Sequence, residues 1–279
     1  MTKAEAVKEN AEVTVAGAKA EVTVAGAKAE ATTQLAVVDM NMFEADAGVG
    51  LENVGQDDLA LPFLKVLSRQ DPTLDELENA KAGDIYNTVT GEVYKGKDGV
   101  NVIPCAYQRR FIEWMPRGAG SGAPVNIYTP EDKRPPTERS KDDNREYVTG
   151  GDGSYLEETH QHFVIILNPD GTSQFALVAM KSTQLKKSRK WNSMVQSRSM
   201  IGKNGPFTPP RFSHVYALKT TSEENSKGSW HGWEISLDKV VSDPTLYVQA
   251  KKFAESILKG EVSVKHTDEA AAENQDIPW

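Results

Sequence analysis

The sequence predicts a mainly β protein with helical additions, an α+β chain arranged around a small twisted β-barrel. Several segments bounded by Gly, Pro and Asn are rich in β-branched and aromatic residues, which is typical of strands. Only two segments, 182–201 and 244–259, have the spacing of amphipathic helices. Both ends of the chain are acidic and poor in aromatic residues. We therefore expect a disordered arm at 1–56, a folded domain at 57–260 and a flexible acidic tail at 261–279.

The N-terminal arm contains a short repeat. The nine residues AEVTVAGAK occupy 11–19 and recur at 20–28, and no aromatic residue precedes Phe43. This period is too short for a solenoid unit, which needs about 20 residues or more. A recent duplication in a tolerant segment explains the repeat, and we expect the arm to lack a stable fold.

The folded domain is predicted to begin near LALPFLKVLS, at 59–68, and to continue with strands. The stretch GDIYNTVTGEVY, at 83–94, predicts two short strands. A long strand follows at 100–115, and Pro104 within it indicates an edge position or a bulge, because proline has no N–H to donate. Residues 116–158 are rich in Gly, Pro and charge, which predicts a long insertion loop.

The centre of the domain predicts a hairpin, a helix and a second hairpin. The apolar segments 162–168 and 173–180 flank PDGT, which is a strong turn signal. The helical spacing at 182–201 is broken by GKNGPFTPPR. Two further strand patterns, 212–222 and 229–236, flank a polar turn and predict the second hairpin.

The domain is predicted to close with a helix at 244–259. Asp243 followed by Pro244 is a helix start signal, and Gly260 is a stop signal. The order of elements is therefore a run of strands, a helix, a hairpin and a last helix. That order suits a small β-barrel with helical additions, a long loop insertion and flexible termini.

The composition favours a cytoplasmic protein that contacts no membrane. No apolar run approaches the roughly 18 residues of a membrane-spanning helix. The first residues, MTKAEAVKEN, lack the apolar core of a signal peptide. The single cysteine, Cys105, cannot form an internal disulfide, which fits a reducing compartment.

The net charge of −8 conceals a strong asymmetry along the chain. Residues 1–60 carry −7 and residues 261–279 carry −4, so residues 61–260 carry +3. Between Met180 and Lys219 there are nine Lys or Arg side chains and no Asp or Glu. A basic domain between acidic arms indicates a polyanionic partner.

No motif indicates an enzyme. The segment PRGAGSGAP lacks the Lys-Ser/Thr end of a phosphate-binding loop. His160 and His162 would share one face of a strand and could bind a metal, but no second ligand cluster accompanies them. A surface pair at the start of a strand is the better interpretation, and Cys105 is expected to be a small core residue. We therefore expect no catalytic residue, no cofactor and no metal site.

Basic and aromatic side chains alternate in two segments, and this pattern favours single-stranded DNA binding. Cations neutralise phosphates, and flat rings stack on unpaired bases. Each ring taken alone is more often a core residue, but a forty-residue stretch without acids in an acidic protein favours binding. On a strand, residues 107, 109 and 111 share one face. The predicted DNA-binding residues are Tyr107, Arg109, Arg110, Phe111, Trp114, Lys181, Lys186, Lys187, Arg189, Lys190, Trp191, Arg198, Lys203, Phe207, Arg211 and Phe212.

The last residues, DIPW after an acidic segment, resemble the C-terminal tip of bacterial and phage single-stranded DNA-binding proteins. In that family an OB-fold core carries a flexible acidic tail that ends in Asp, an aliphatic residue, Pro and Phe. The block GDIYNTVTGEVYKGKDGVNVIPCAYQRRFIEW is similar to phage-encoded proteins of this class. Here Trp replaces the usual Phe, and AAAENQ is less acidic than typical tails. The resemblance implies an OB-fold-like barrel and a partner-docking tip formed by Asp276, Ile277, Pro278 and Trp279.

The function implied by the resemblance is to coat single-stranded DNA in phage replication or recombination, in the cytoplasm of the bacterial host. The tip would recruit replication or recombination proteins, and the protein could form homo-oligomers. Two alternatives stay open: a strand-annealing recombination protein, and a phage structural protein whose arms order on assembly. A metal-dependent nuclease is disfavoured, because the sequence has no evident acidic cluster.

Overall fold

The computed structural model describes residues 40–55, 58–116, 118–226, 228–262, 264 and 266. The chain divides into two compact units, residues 1–52 and residues 53–279. The first unit contains one described helix, α1 (Met40–Ala45), whose neighbouring residues are exposed. The nine-residue repeats and the predicted docking tip lie outside the described residues, so the expected flexibility of the arm and the tail stays a prediction.

The second unit is mainly β, with helical additions. Its described helices are α2 (Thr73–Glu76), α3 (Leu185–Gln196) and α4 (Pro244–Lys259), and 3₁₀ turns occupy Ser182–Gln184 and Arg211–Ser213. Its described strands are β1 (Leu64–Val66), β2 (Ile85–Asn87), β3 (Val93–Tyr94), β4 (Val100–Trp114), β5 (Asn126–Tyr128), β6 (Thr137–Arg139), β7 (Glu146–Val148), β8 (Tyr155–Leu167), β9 (Ser173–Lys181), β10 (Met200–Gly202), β11 (Gly205–Phe207), β12 (His214–Asn225) and β13 (Gly228–Val240). The mainly β, α+β class predicted from the sequence is therefore confirmed.

The described strands form one large antiparallel sheet and two small ones. The large sheet runs in the order β13-β12-β4-β8-β7-β6, with β5 paired to β4 and β9 paired to β8. It curls into half a barrel. Register shifts interrupt β4 between Pro104 and Ala106 and β12 between Val215 and Tyr216, and such bulges increase the local bend and twist. The closed barrel of an OB-fold stays an expectation.

Strand β4 lies in the middle of the large sheet, between β12 and β8. The bulge predicted from Pro104 is confirmed, whereas the alternative edge position is wrong. A proline cannot donate a ladder hydrogen bond, and the bulge is how a central strand accommodates it. Strand β4 is the element that carries Tyr107 to Trp114 across the domain.

The segment 116–158, predicted to be an insertion loop, contributes three short strands to the large sheet. β5 pairs with β4, β7 pairs with the start of β8, and β6 pairs with β7. β8 also begins at Tyr155, earlier than the predicted start at 162. The residues of β5, β6 and β7 are exposed or only partly buried, so these strands lack the buried apolar alternation that would have revealed them in the sequence.

The two longer helices differ in how well the sequence predicts them. α4 has the predicted caps: the Asp243 carboxylate accepts from the backbone N–H of Thr245 at 2.7 Å, and Gly260 is left-handed at φ 76°. α3 is shorter than the predicted 182–201, because it begins after a 3₁₀ turn and ends at Gln196. The remainder of that segment enters the β10–β11 hairpin, which the sequence pattern did not indicate.

The large sheet has a hydrophobic cluster on each face. Alternate residues of β8 point to opposite faces, so Val164 joins the cluster that contains Trp191 of α3. Phe163 joins the cluster that contains Phe253 of α4. α3 and α4 therefore cover opposite faces of the sheet. None of the helices in the described part of the chain is long and apolar enough to cross a membrane.

Candidate nucleic-acid interface

α3 presents basic side chains on its outer surface. Lys186, Arg189 and Lys190 are exposed, whereas Ser188 and Trp191 are fully buried against the sheet. The helical repeat explains this division, because residues three apart share a face of a helix. The buried Trp191 fixes the helix to the core, so the lysines have a rigid support.

A groove runs beside α3, and we call it the α3 groove. Its central part is a cavity of about 860 Å³ lined by Lys186, Lys190 and Trp230, among others. A smaller cavity of about 220 Å³ shares Lys187 and Lys190 with it and continues to Thr221 and Trp233. At the other end, a cleft of about 850 Å³ shares the Ser182–Leu185 wall and extends to Phe111 and Arg134. Because the three cavities share these lining residues, we use the name α3 groove for all three together.

Not all cations of the α3 groove are neutralised by a carboxylate. Lys187 forms an ion pair with Glu223, and Arg189 lies 3.6 Å from Glu158. Lys186 and Lys190 have no ion pair with any residue that the structure describes. These two exposed, uncompensated charges are available to an anionic ligand.

The central cavity of the α3 groove is also lined by a tryptophan that was not among the predicted residues. Trp230 lies on β13, is only partly buried, and donates its indole N–H to Glu223 at 3.0 Å. Because Glu223 also forms an ion pair with Lys187, this carboxylate holds the Trp230 ring beside the first turn of α3. The predicted hairpin contained this tryptophan, but only the tertiary fold brings β13 beside α3.

Strand β4 brings three predicted residues to one face. Tyr107 pairs with His162, Arg109 with His160, and Phe111 with Glu158 on β8. Residues on the same face of adjacent strands are neighbours. This face of the sheet is the one that α3 covers, and it reaches the α3 groove at Phe111.

Two guanidinium groups contact the ring of Phe111. Arg134 lies 3.7 Å and Arg109 4.9 Å from the ring centroid. Arg109 also forms an ion pair with Glu158 at 2.9 Å. Arg134, on the segment predicted to be a loop, has no ion pair with a described residue, so its donors are free for a phosphate.

Three side chains that were predicted to bind DNA are buried, so the prediction is wrong for them. Trp191 is fully buried and stacks on His162 with centroids 4.5 Å apart. Trp114 is buried in a small cluster with Tyr155. Lys181 is buried as well. Buried rings have no face to offer a base and a buried lysine has no route to a phosphate, so these residues are left out of the interface.

The remaining predicted residues are divided between the groove and other surfaces. Arg110 is on the opposite face of β4 from Arg109 and donates to Gln108 at 2.6 Å. Phe212 packs edge-on against Tyr247 of α4 at 5.2 Å. Arg198, at the end of α3, donates to the carbonyl of Met194. Lys203 and Phe207 are exposed on the β10–β11 hairpin.

The last predicted residue, Arg211, begins a chain of hydrogen bonds under α3, which we call the relay. Its guanidinium lies 2.8 Å from Nδ1 of His162. Nε2 of His162 and Nδ1 of His160 each lie 2.7 Å from the Ser188 hydroxyl. Nε2 of His160 lies 2.9 Å from Glu158. The relay thus connects a cation to a carboxylate through three side chains.

With both imidazoles neutral, the donors and acceptors of the relay have one consistent assignment. Arg211 can only donate, so Nδ1 of His162 accepts and its Nε2 carries the hydrogen. His162 therefore donates to Ser188, and the Ser188 hydroxyl donates to His160. His160 then donates to Glu158. Both imidazoles are neutral in this arrangement, and every bond points from the cation towards the carboxylate.

Burial explains why the two imidazoles stay neutral. Desolvation holds the pKa of His162 well below its ordinary value, and the nearby Arg211 charge acts in the same direction. Desolvation also lowers the pKa of His160, against the opposing effect of Glu158. His160 and His162 are therefore a buried, hydrogen-bonded pair. The expectation of a surface pair was wrong.

The described residues contain no clustered set of metal ligands. No group of three or more His, Cys, Asp or Glu side chains in this part of the chain could hold a metal ion. Cys105 is buried, and desolvation raises the pKa of its thiol, which keeps it protonated. The α3 groove combines basic side chains with a partly exposed aromatic ring.

Comparison with known proteins identifies a family for this chain. A family model described as Pam3 phage gp34-like protein matches residues 28–263, most of the chain. No curated protein and no solved structure matches significantly.

Proposed function

The chain belongs to the family of Pam3 phage gp34-like proteins, and from the α3 groove we propose that it binds single-stranded DNA. The observation that supports this proposal most directly is the pair of exposed lysines, Lys186 and Lys190, which have no ion pair with a described residue and line a groove that also contains Trp230. In the proposed complex, Lys186, Lys190 and Arg189 contact phosphates, and so does Arg134 in the adjoining cleft.

The aromatic content of the groove supports a single-stranded ligand. Trp230 lines the central cavity, and Phe111 lines the adjoining cleft. Rings in a basic groove bind unpaired bases by stacking, at about 1–3 kcal/mol per base. In a duplex the bases are already stacked on one another, so these rings would gain little. We therefore propose a preference for single strands over duplex.

We propose that the protein acts in phage DNA replication or recombination, in the cytoplasm of the host. The family is a phage family, and a DNA-coating protein would meet its substrate there. The tip Asp276–Trp279 would recruit a replication or recombination protein, with Ile277 and Trp279 entering an apolar pocket of that partner. The tip is proposed from its residues alone.

The test is a competition between single strands and duplex of the same sequence. We expect a fluorescently labelled oligo(dT) to bind, and an unlabelled single strand to displace it far better than an unlabelled duplex. Lys186→Glu with Lys190→Glu should weaken binding, because two phosphate contacts become repulsive. The matched control is Lys251→Glu with Lys252→Glu, the same charge change on exposed lysines of α4. Equal displacement by duplex, or equal weakening by the control pair, would reject the proposal.

A further inference from the structure

The β10–β11 hairpin exposes apolar side chains to an unusual degree. Ile201 is 86% exposed and Phe207 is 47% exposed. In the register of the hairpin, Ile201 pairs with Pro206 and Met200 pairs with Phe207. Neighbouring residues of a strand point to opposite faces, so each face of this two-stranded ribbon carries apolar groups.

The hairpin has a defined shape despite its exposure. Gly205 has φ 103°, a conformation that glycine adopts without strain, and it closes the turn after Lys203 and Asn204. A Cβ on Gly202 would lie only 3.2 Å from the Phe207 ring, so the ring rests close to the backbone there. The apolar groups are therefore presented by an ordered ribbon, which reduces the entropy lost on binding.

The charge around the hairpin favours a nucleic acid as its partner. Lys203 is exposed at the turn, and it has no ion pair within the described part of the chain. The hairpin lies within the stretch from Met180 to Lys219, which contains no Asp or Glu. It begins shortly after the end of α3, where Arg198 donates to the carbonyl of Met194 at 3.1 Å. The hairpin thus continues from the basic helix that carries the proposed interface.

We propose that this hairpin is a wedge that inserts Ile201 between neighbouring bases of the bound strand. Apolar wedges at basic surfaces unstack base steps in this way, and the insertion costs a few kcal/mol that the new contacts offset. Lys203 would contact the flanking phosphate. The expected activity is unstacking of single strands and opening of duplex ends. This inference rests on the proposed single-stranded DNA binding.

The test measures unstacking separately from affinity. The probe is an oligo(dA) with 2-aminopurine at its centre, whose fluorescence rises when its neighbours unstack. We expect saturating full-length protein to raise the fluorescence, and Ile201→Ser to abolish most of that rise. Affinity of Ile201→Ser for oligo(dT) should change by only about twofold, as for an ordinary surface substitution. The matched control is Leu258→Ser, an 80% exposed leucine on α4, which should keep the full rise.

Three results would overturn the wedge. If the wild type binds oligo(dA) but Ile201→Ser gives the same fluorescence rise, the wedge fails while the proposed function stands. If Ile201→Ser instead halves the mass in sedimentation, the exposed isoleucine is a contact between copies of the chain. If the wild type binds no oligonucleotide at any salt concentration, the proposed function fails and the wedge fails with it.

Discussion

The hydroxyl of Ser188 donates to Nδ1 of His160 across 2.7 Å, from a helix to a strand of the sheet. The same oxygen accepts from His162, so one buried serine closes the relay between Arg211 and Glu158. Glu158 in turn pairs with Arg109 and lies near Arg189. The relay therefore ties α3 to the sheet and ends at cations beside the α3 groove.

Removing this hydroxyl should destabilise the domain. In Ser188→Ala, a donor on His162 and an acceptor on His160 lose their partner while they stay buried. Each orphaned group costs about 1–3 kcal/mol, so we expect a loss of roughly 2 kcal/mol or more in the free energy of unfolding. Urea denaturation measures this loss of free energy. The control is Ser193→Ala, which removes the hydroxyl of an exposed serine on the same helix. A loss as small as the control's would contradict the relay.

Stability should fall in mild acid. The folded-state pKa values of His160 and His162 lie below their ordinary values, so the unfolded chain binds protons first as the pH drops. The free energy of unfolding is therefore fully retained above about pH 6.5 and declines below it, by up to about 1.4 kcal/mol per pH unit for each histidine. Unfolding curves between pH 7.5 and 5 check this, and His160→Gln should reduce the slope. Stability that rises towards pH 5 would disprove the neutral assignment.

Trp230→Ala should weaken binding of single-stranded DNA by about tenfold, within the range for loss of one stacked base. The slope of log affinity against log salt should not change, because no phosphate contact is removed. Fluorescence anisotropy with oligo(dT) measures both quantities. Tyr247→Ala, a partly exposed ring on α4, is the control. If both variants bind like the wild type, the stacking role of Trp230 is refuted.

Truncation of the acidic tail should begin after residue 266. His266 is buried and lies 3.0 Å from Gln161, and Val262 and Val264 pack on the α4 side of the core. Deletion of 267–279 removes four acids and no Lys or Arg, so affinity for single-stranded DNA should rise at low salt. Trp279→Ala should leave DNA affinity unchanged and abolish capture of the recruited protein. Weaker DNA binding after truncation would contradict this role of the tail.

Local signals predicted a large part of the fold. The long strand with its bulge at Pro104, the β8–β9 hairpin and the capped helix α4 all follow from patterns within one segment. The short strands at 126–148 and the β10–β11 hairpin do not, because β5 and β7 pair with other segments of the chain and β10 and β11 are only three residues long. The start of β8 was hidden by polar residues such as His160, which hydrogen bonds keep buried.

The candidate site was predicted in outline. The acid-free stretch identified Lys186 and Lys190, and the tertiary fold then added Trp230 and Arg134 from distant segments. The sequence could not distinguish Trp191, which anchors α3, from a ring that faces solvent. The composition of a segment shows its charge. Whether one side chain in that segment is buried depends on the elements that pack against it, which the composition does not show.

The most direct test of the central claim is the salt dependence of oligo(dT) binding for Lys186→Glu with Lys190→Glu. Each phosphate contact contributes about 0.7 to the slope of log affinity against log salt for single strands. If the two lysines bind phosphates, the slope should become shallower by about 1.4, while the Lys251→Glu, Lys252→Glu control keeps the wild-type slope. An unchanged slope in the α3 variant would show that the α3 groove does not bind DNA.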